Sequence, residues 1–251
     1  MGIGTLKILK DTLRRIPGTR PLYHSTVRQY MSLTLGRQSP ETIFTDIFRH
    51  NGWKGTESIS GRGSDLEQTE SIRKQLPDLL QTLGVRSMLD IPCGDCHWMR
   101  RVDLRGVRYI GGDIVAALVE ANRKSEPAER RFQRLDLMCD ELPRADLILC
   151  RDCLVHLSFR DDFTALRNMT RSGAKFFLLT TFPSRKSNRD IVTGQWRPLN
   201  LQADPFNFAE PISLMNEGCT ASNGIYGDKS LGLWSAEQIL RSMNPADLAR
   251  L

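Results

Sequence analysis

Five short apolar or β-branched runs, at residues 87–91, 107–112, 131–135, 146–150 and 175–181, recur along the middle of this 251-residue chain. Stretches of helical character separate several of them. The clearest is residues 159–171, with Ser158 as cap, Phe163, Leu166 and Met169 on one face, and Gly173 just past the end. Strands that alternate with helices at this spacing join through right-handed crossovers, so the expected fold is α/β with a doubly wound, mostly parallel sheet. Such sheets bind ligands beyond the carboxyl ends of their strands, where strand order reverses. The residues just after each run therefore carry the functional information.

Three acids stand there on successive runs: Asp90, opening the segment Asp-Ile-Pro-Cys-Gly-Asp-Cys, then Asp113, 23 residues later, then Asp136. A single Asp at such a place is ordinarily a turn residue or a helix cap. Three in succession ask for another explanation. A dinucleotide site needs Gly-x-Gly-x-x-Gly so that a pyrophosphate can rest on main-chain N–H groups, and only Gly94 is available here. A nucleoside without phosphates fits better. Asp113 would hold its ribose hydroxyls and Asp136 would meet the adenine amino group. Gly94 would admit an amino-acid tail, and Asp90 would orient the loop and favour a cationic end. S-adenosylmethionine has each of these parts.

On these residues the chain resembles the class I S-adenosylmethionine-dependent methyltransferases, a Rossmann-like fold. Residues 89–95, Leu-Asp-Ile-Pro-Cys-Gly-Asp, look like the family's first motif; residues 109–113, Tyr-Ile-Gly-Gly-Asp, like its second; and residues 134–136, Arg-Leu-Asp, like its third. Residues 146–157 are similar to the fourth, with His156 where the family often carries a His after the fourth strand. The resemblance spans about residues 64–181, and Pro92 and Cys96 depart from it where Gly is usual. Within the family the chain looks closest to bacterial enzymes that methylate sugar hydroxyls, in particular the 2-O-methyltransferases acting on the fucosyl group of rhizobial nodulation factors. That likeness implies a sugar or lipo-oligosaccharide acceptor.

Methyl transfer to an alcohol asks the protein for alignment and for a base. Asp152 and His156 are the candidate catalytic residues, four apart and on one helix face if that segment is helical. A His titrates near neutral pH and suits the role; packing with one satisfied nitrogen is the competing reading of His156. Asp152 has an alternative role in orienting His156 or capping a helix. Residues 182–200 show no helical stripe, and a long irregular stretch in a compact domain is usually functional or disordered. Its Arg185, Asn188, Asp190, Trp196, Arg197 and Asn200 are the expected acceptor-binding residues, Trp196 offering a face and the rest reaching hydroxyls. The competing reading is a lid packed for stability.

The cysteines and the charge suggest other classes of function. Cys93/Cys96 and Cys150/Cys153 follow runs expected to be neighbours and would make a zinc site if four sulfurs converged. The spacing between the pairs is too long for a zinc ribbon, so no metal is expected. A non-catalytic interaction module on the same fold is a further alternative, disfavoured by the intact strand-end acids. The net charge of +6 resides in residues 1–38, which hold seven basic residues and one acidic, leaving 28 of each in the remainder. The body therefore has no general attraction for polyanions, and no nucleic-acid partner is expected.

Residues 3–16 read as a basic amphipathic helix, which either packs on the domain or makes a weak contact with an anionic membrane surface. Residues 41–63 read as a loop ending in a Gly/Ser-rich lid at 60–64, and residues 1–63 form an extension to a catalytic domain at 64–251. Ser64 and Glu67 look like a capping box opening a helix that runs to Gly84. The last strands are expected in the tail from 211, best at 229–234, with no helix between the fifth run and that region. No apolar run is long enough to span a bilayer. Cysteine usage and the lack of a leader-like apolar stretch point to a reducing cytoplasm, with the membrane contact as a peripheral option.

Overall fold

The computed structural model describes residues 35–243, so the expected basic helix at residues 3–16 and its membrane contact lie outside the described residues. Seven strands form one sheet: β1 (Ser87–Asp90), β2 (Arg108–Asp113), β3 (Arg131–Arg134), β4 (Leu147–Cys150), β5 (Phe176–Thr181), β6 (Ser213–Asn216) and β7 (Ser230–Ser235). Their order is β3-β2-β1-β4-β5-β7-β6. The first five are parallel, and β7 runs antiparallel between β5 and β6. Strand order reverses at β1, where Asp90 sits opposite Gly111 of β2 and Leu149 of β4.

The central strands are apolar throughout because both faces of the sheet are covered. Leu89, Ile148, Cys150, Phe177 and Leu179 enter one core, with Leu166 and Met169 of the helix Phe159–Arg171; Met88, Leu147, Leu149 and Leu178 enter the other, with Ile72, Leu76 and Leu80 of the helix Glu70–Thr82. Alternation along each strand thus splits one sheet between two cores. It also separates the cysteine pairs, since Cys93 and Cys96 belong to the second core while Cys150 belongs to the first. Among the described residues no group of three or more His, Cys, Asp or Glu could hold a metal ion, and no helix is long and apolar enough to cross a membrane.

Five α-helices are described: α1 (Pro40–Arg49), α2 (Glu70–Thr82), α3 (Ala116–Ser125), α4 (Phe159–Arg171) and α5 (Ala236–Ser242). α4 has the expected bounds, and the Ser158 hydroxyl accepts from Asp161 N. The expected loop at 41–63 is corrected at its start. There α1 forms, with Ser39 accepting from Thr42 N, Pro40 in the first turn and Ile43 buried. α2 begins later than expected, because Ser64 ends a 3-10 turn at Arg62–Ser64 and makes no capping box. The intervening residues close a turn of their own, with Thr69 N donating to Asp65 O at 3.1 Å. No helix or strand lies between β5 and β6. The capping box that does form is Ser235 with Gln238, opening α5.

Candidate active site

A cleft of about 860 Å³ opens beyond the carboxyl ends of β1, β2 and β4, and Asp90, Gly94, Asp113, Asp136, Asp152, His156 and Trp196 all line it. On one side the three strand-end acids are built into the turns that follow their strands. Asp113 accepts from Gly94 N at 3.0 Å through Oδ2 and from Val115 N at 2.9 Å through Oδ1, tying the loop after β1 to the start of α3. Asn122 of α3 donates to Gly94 O at 2.8 Å and closes the same link. Asp90 Oδ2 accepts from the Tyr109 hydroxyl at 2.7 Å. Asp136 accepts from Met138 N at 2.9 Å. Burial pushes Asp90 up to about 7, against the Tyr109 hydrogen bond, and Asp113 up to about 6.

Gly94 has φ 55°, and a Cβ there would lie 2.2 Å from the Ser60 hydroxyl. Only glycine lets the two chains approach so closely. The approaching chain, residues 58–64, is a strap held by charged groups. Asp95 accepts from the Ser58 hydroxyl at 2.9 Å and from Ile59 N at 3.0 Å, while Arg151 donates to Gly63 O at 2.6 Å. Residues 60–64 of the strap line the cleft.

Beyond β4 the chain does not continue as an α-helix. Asp152 takes a left-handed conformation, φ 53°, and a 3-10 turn at Leu154–His156 follows. The two expected catalytic residues are therefore not on one helix face. Asp152 Oδ2 accepts from Lys229 Nζ at 2.6 Å and lies 3.3 Å from Arg151, and Glu217 pairs with Arg151 at 2.6 Å and with Lys229 at 3.2 Å. Burial alone would raise the Asp152 carboxyl, but Lys229 and Arg151 hold it down at about 2. A carboxylate held so low is a poor proton acceptor. His156 is different. Its Nδ1 lies 2.9 Å from Gln195 O, and since a carbonyl only accepts, Nδ1 carries the hydrogen and Nε2 is left with a lone pair. Burial lowers its pKa, which keeps that neutral form at physiological pH.

Two aromatic groups line the cleft that holds His156. Phe44 of α1 packs against Trp53, whose ring lies 5.4 Å from His156. Trp196 and Tyr226 meet edge to face at 4.9 Å, both against Phe182.

Of the six expected acceptor-binding residues only Trp196 lines the cleft. The other five are corrected, because their polar atoms organise the chain after β5. Arg197 is fully buried and pairs with Asp162. Arg185 donates to Ile225 O at 2.9 Å. Asn188 donates to Asn200 O at 2.8 Å and Asp204 O at 2.7 Å, and Asn200 returns to Arg185 O at 2.7 Å. Asp190 accepts from Phe159 N at 2.8 Å. An irregular segment must satisfy its main-chain groups somewhere, and these amides and acids do so. Sequence reasoning passed over Arg151, Glu217 and Lys229, although an Arg closing the all-apolar run Leu147–Cys150 was a signal of a buried ion pair.

The strand order and the cleft at its reversal point are those of the class I methyltransferase fold. Magnesium protoporphyrin IX methyltransferase from Synechocystis PCC 6803, solved with bound S-adenosylmethionine, superposes at TM-score 0.52 over 79% of this chain and 97% of that one, with 15% identity. Human N-acetylserotonin methyltransferase in complex with S-adenosylmethionine matches at TM-score 0.48 over 85% of this chain and 67% of that one, with 15% identity. The N-methyltransferase NodS from Bradyrhizobium japonicum WM9, in complex with S-adenosylhomocysteine, matches at TM-score 0.41 over 48% and 65%, with 18% identity. The chain spans 66% of the length of the methyltransferase domain of a bacterial Hen1 and 57% of that of a Pyrococcus horikoshii OT3 protein. No family model and no curated protein matches the chain. The likeness is one of fold.

Proposed function

We propose that this protein is an S-adenosylmethionine-dependent O-methyltransferase whose acceptor is a hydroxyl of a sugar or lipo-oligosaccharide. The cofactor reading is supported by the donor set of the cleft. Asp113 and Asp136 each keep carboxylate lone pairs beyond those bonded to main-chain N–H groups, as ribose hydroxyls and an adenine amino group require. Gly94 lies among the lining residues of the same cleft, its missing Cβ making room for the Ser60 hydroxyl of the strap. Burial raises Asp90 to about 7 and Asp113 to about 6, and a cation beside them would favour their charged forms. When bound, S-adenosylmethionine supplies a methyl group on a positive sulfur that leaves readily.

The chain's own residues supply the rest. His156 Nε2 accepts the hydroxyl proton as the oxygen attacks, and the Nδ1 hydrogen bond to Gln195 O keeps that nitrogen basic and aimed. Trp53 and Trp196 offer faces for the C–H surfaces of a sugar ring and exclude water from it. The observation that carries the reading is the placement of a tautomer-fixed His in the same cleft as three strand-end acids.

The test is a labelled-methyl transfer assay over fucose-bearing lipo-chitooligosaccharides, free sugars, phenols and RNA, with calorimetry of S-adenosylmethionine binding beside it. Binding together with transfer to a sugar supports the proposal. Transfer confined to phenols or RNA would replace the acceptor class, and absence of binding would remove the cofactor.

A further inference from the structure

The charged group at the end of β4 has unspent hydrogen-bonding capacity, on two residues that line the cleft. Arg151 and Glu217 are spent inside the protein: Nη2 and Nε of Arg151 reach the two Glu217 oxygens at 2.6 and 3.1 Å, Nη2 also reaches Gly63 O, Glu217 also takes Lys229, and both side chains are buried. Lys229 and Asp152 are not consumed. Lys229 Nζ has three hydrogens and two partners, Asp152 and Glu217. Asp152 uses Oδ2 toward Lys229 and Arg151, while its Oδ1 has no hydrogen-bond partner among the described residues. Both residues line the cleft that holds His156.

This group carries two cations and two anions, so it presents a donor and an acceptor side by side without net charge. A neutral hydroxyl satisfies both at once, donating to the carboxylate and accepting from the ammonium. An anion would meet Asp152, and a cation would meet Lys229. Resting on the O-methyltransferase reading, we propose that Asp152 and Lys229 are the acceptor-selecting pair: they bind a second hydroxyl, next to the one His156 deprotonates, so that the acceptor is a neutral vicinal diol. The hydroxyl that is methylated donates its proton to His156 Nε2; its neighbour donates to Asp152 Oδ1, accepts from Lys229 Nζ and keeps its proton throughout. Asp152 is then a binding residue and not the base.

The experiment compares methyl α-L-fucopyranoside with its 3-deoxy counterpart on the intact protein, by binding calorimetry with S-adenosylhomocysteine present and by methyl transfer. The wild type is expected to prefer the diol by about 10- to 100-fold, the worth of a hydrogen bond to a charged group. Asp152→Asn and Lys229→Met should each bring that ratio close to one while leaving the affinity for S-adenosylhomocysteine within about twofold of wild type. The ratio is read on the same protein sample for both acceptors, so partial unfolding does not move it. Glu217→Gln, which loosens the charged group without facing the cleft, should retain the preference.

A wild type that binds both sugars equally, or neither, overturns the proposal. So does an Asp152→Asn variant that loses S-adenosylhomocysteine, because the pair would then serve the cofactor. Calorimetry separates this failure from failure of the methyltransferase reading, which would appear as loss of S-adenosylhomocysteine binding in the wild type.

Discussion

Arg151 grips Glu217 at two points, Nη2 to Oε2 at 2.6 Å and Nε to Oε1 at 3.1 Å, and so joins the end of β4 to the residue that follows β6. The side chains are 3% and 1% exposed, so neither charge can fall back on water. Glu217→Ala should destabilise the protein by about 3–5 kcal/mol, the cost of stranding one member of a buried pair. Urea unfolding measures it. Because Arg151 also holds Gly63 O, the same variant should loosen the strap over Gly94 and weaken S-adenosylmethionine binding. A loss below about 1 kcal/mol, as for an exposed pair, would mean that water reaches the group.

His156 makes activity and stability sensitive to acid in the same direction. Burial lowers its folded pKa below the ordinary His value, so between the two values the unfolded chain binds a proton that the folded protein does not. Its contribution to stability is therefore present above the unfolded pKa and drains as pH falls toward the folded one. The base is lost over that range too. His156→Ala should reduce kcat by about 10²- to 10⁴-fold, and a pH–rate profile of the wild type should fall on its acid side below the usual His pKa. An unchanged kcat in the variant would assign the base elsewhere.

Asp90 and Asp113 act with the opposite sign. Their folded values, about 7 and about 6, stand above the ordinary carboxylate range. The stability they contribute is full below the unfolded pKa and declines as pH rises through these folded values. Asp90→Asn should thus flatten the fall in melting temperature between about pH 5 and 8. A cationic ligand favours the ionised forms, so S-adenosylmethionine should bind the wild type more tightly as pH rises through the same window. Equal affinity at both ends would show that the ligand's cation lies away from these acids.

Gly94 tests the contact between the loop after β1 and the strap. Alanine there meets the Ser60 hydroxyl at 2.2 Å and must also hold φ 55°, a conformation that costs an L-residue about 1–2 kcal/mol. The strap should lift away, and the melting-temperature gain on adding S-adenosylmethionine should shrink or vanish. A variant with the full gain would place the cofactor clear of this loop.

The sheet was legible because its central strands β4 and β5 are written as unbroken apolar or β-branched runs, and the five runs read from the sequence fall within a residue or two of β1 to β5, although β3, at the edge, buries only Phe132. β6 was not, since its edge position leaves Ser213, Leu214 and Asn216 at least partly exposed and erases the pattern. α1 was hidden by the isolated aromatics of 41–63, although Ser39 and Pro40 announced it. Side-chain roles were harder to read than elements. Asp113 and Trp196 stand in the cleft because each belongs to a turn or loop end that the topology places there, whereas Asn188 and Asn200 look equally apt for a sugar and are spent on carbonyls 12 residues or so along the chain. Composition of a loop identifies its hydrogen-bonding groups but not their partners.

Arg197 turns that lesson into an experiment. It is fully buried, with its guanidinium on Asp162, on the carbonyls of Leu154 and Leu157, and 5.0 Å above the ring of Phe159. Asp162 Oδ1 and Arg197 Nε lack partners among the described residues, so the pair is buried but incompletely satisfied there. Arg197→Met should therefore cost about 3–5 kcal/mol by stranding Asp162, whose carboxyl burial already pushes well above its ordinary range. Arg197→Met combined with Asp162→Leu should recover most of that loss, since apolar residues of similar volume replace such pairs at little cost. Urea unfolding of both single variants and the double closes the cycle. If instead Arg197→Met keeps its stability and raises the acceptor KM, the guanidinium reaches the substrate and the turn that carries His156 must open to admit it.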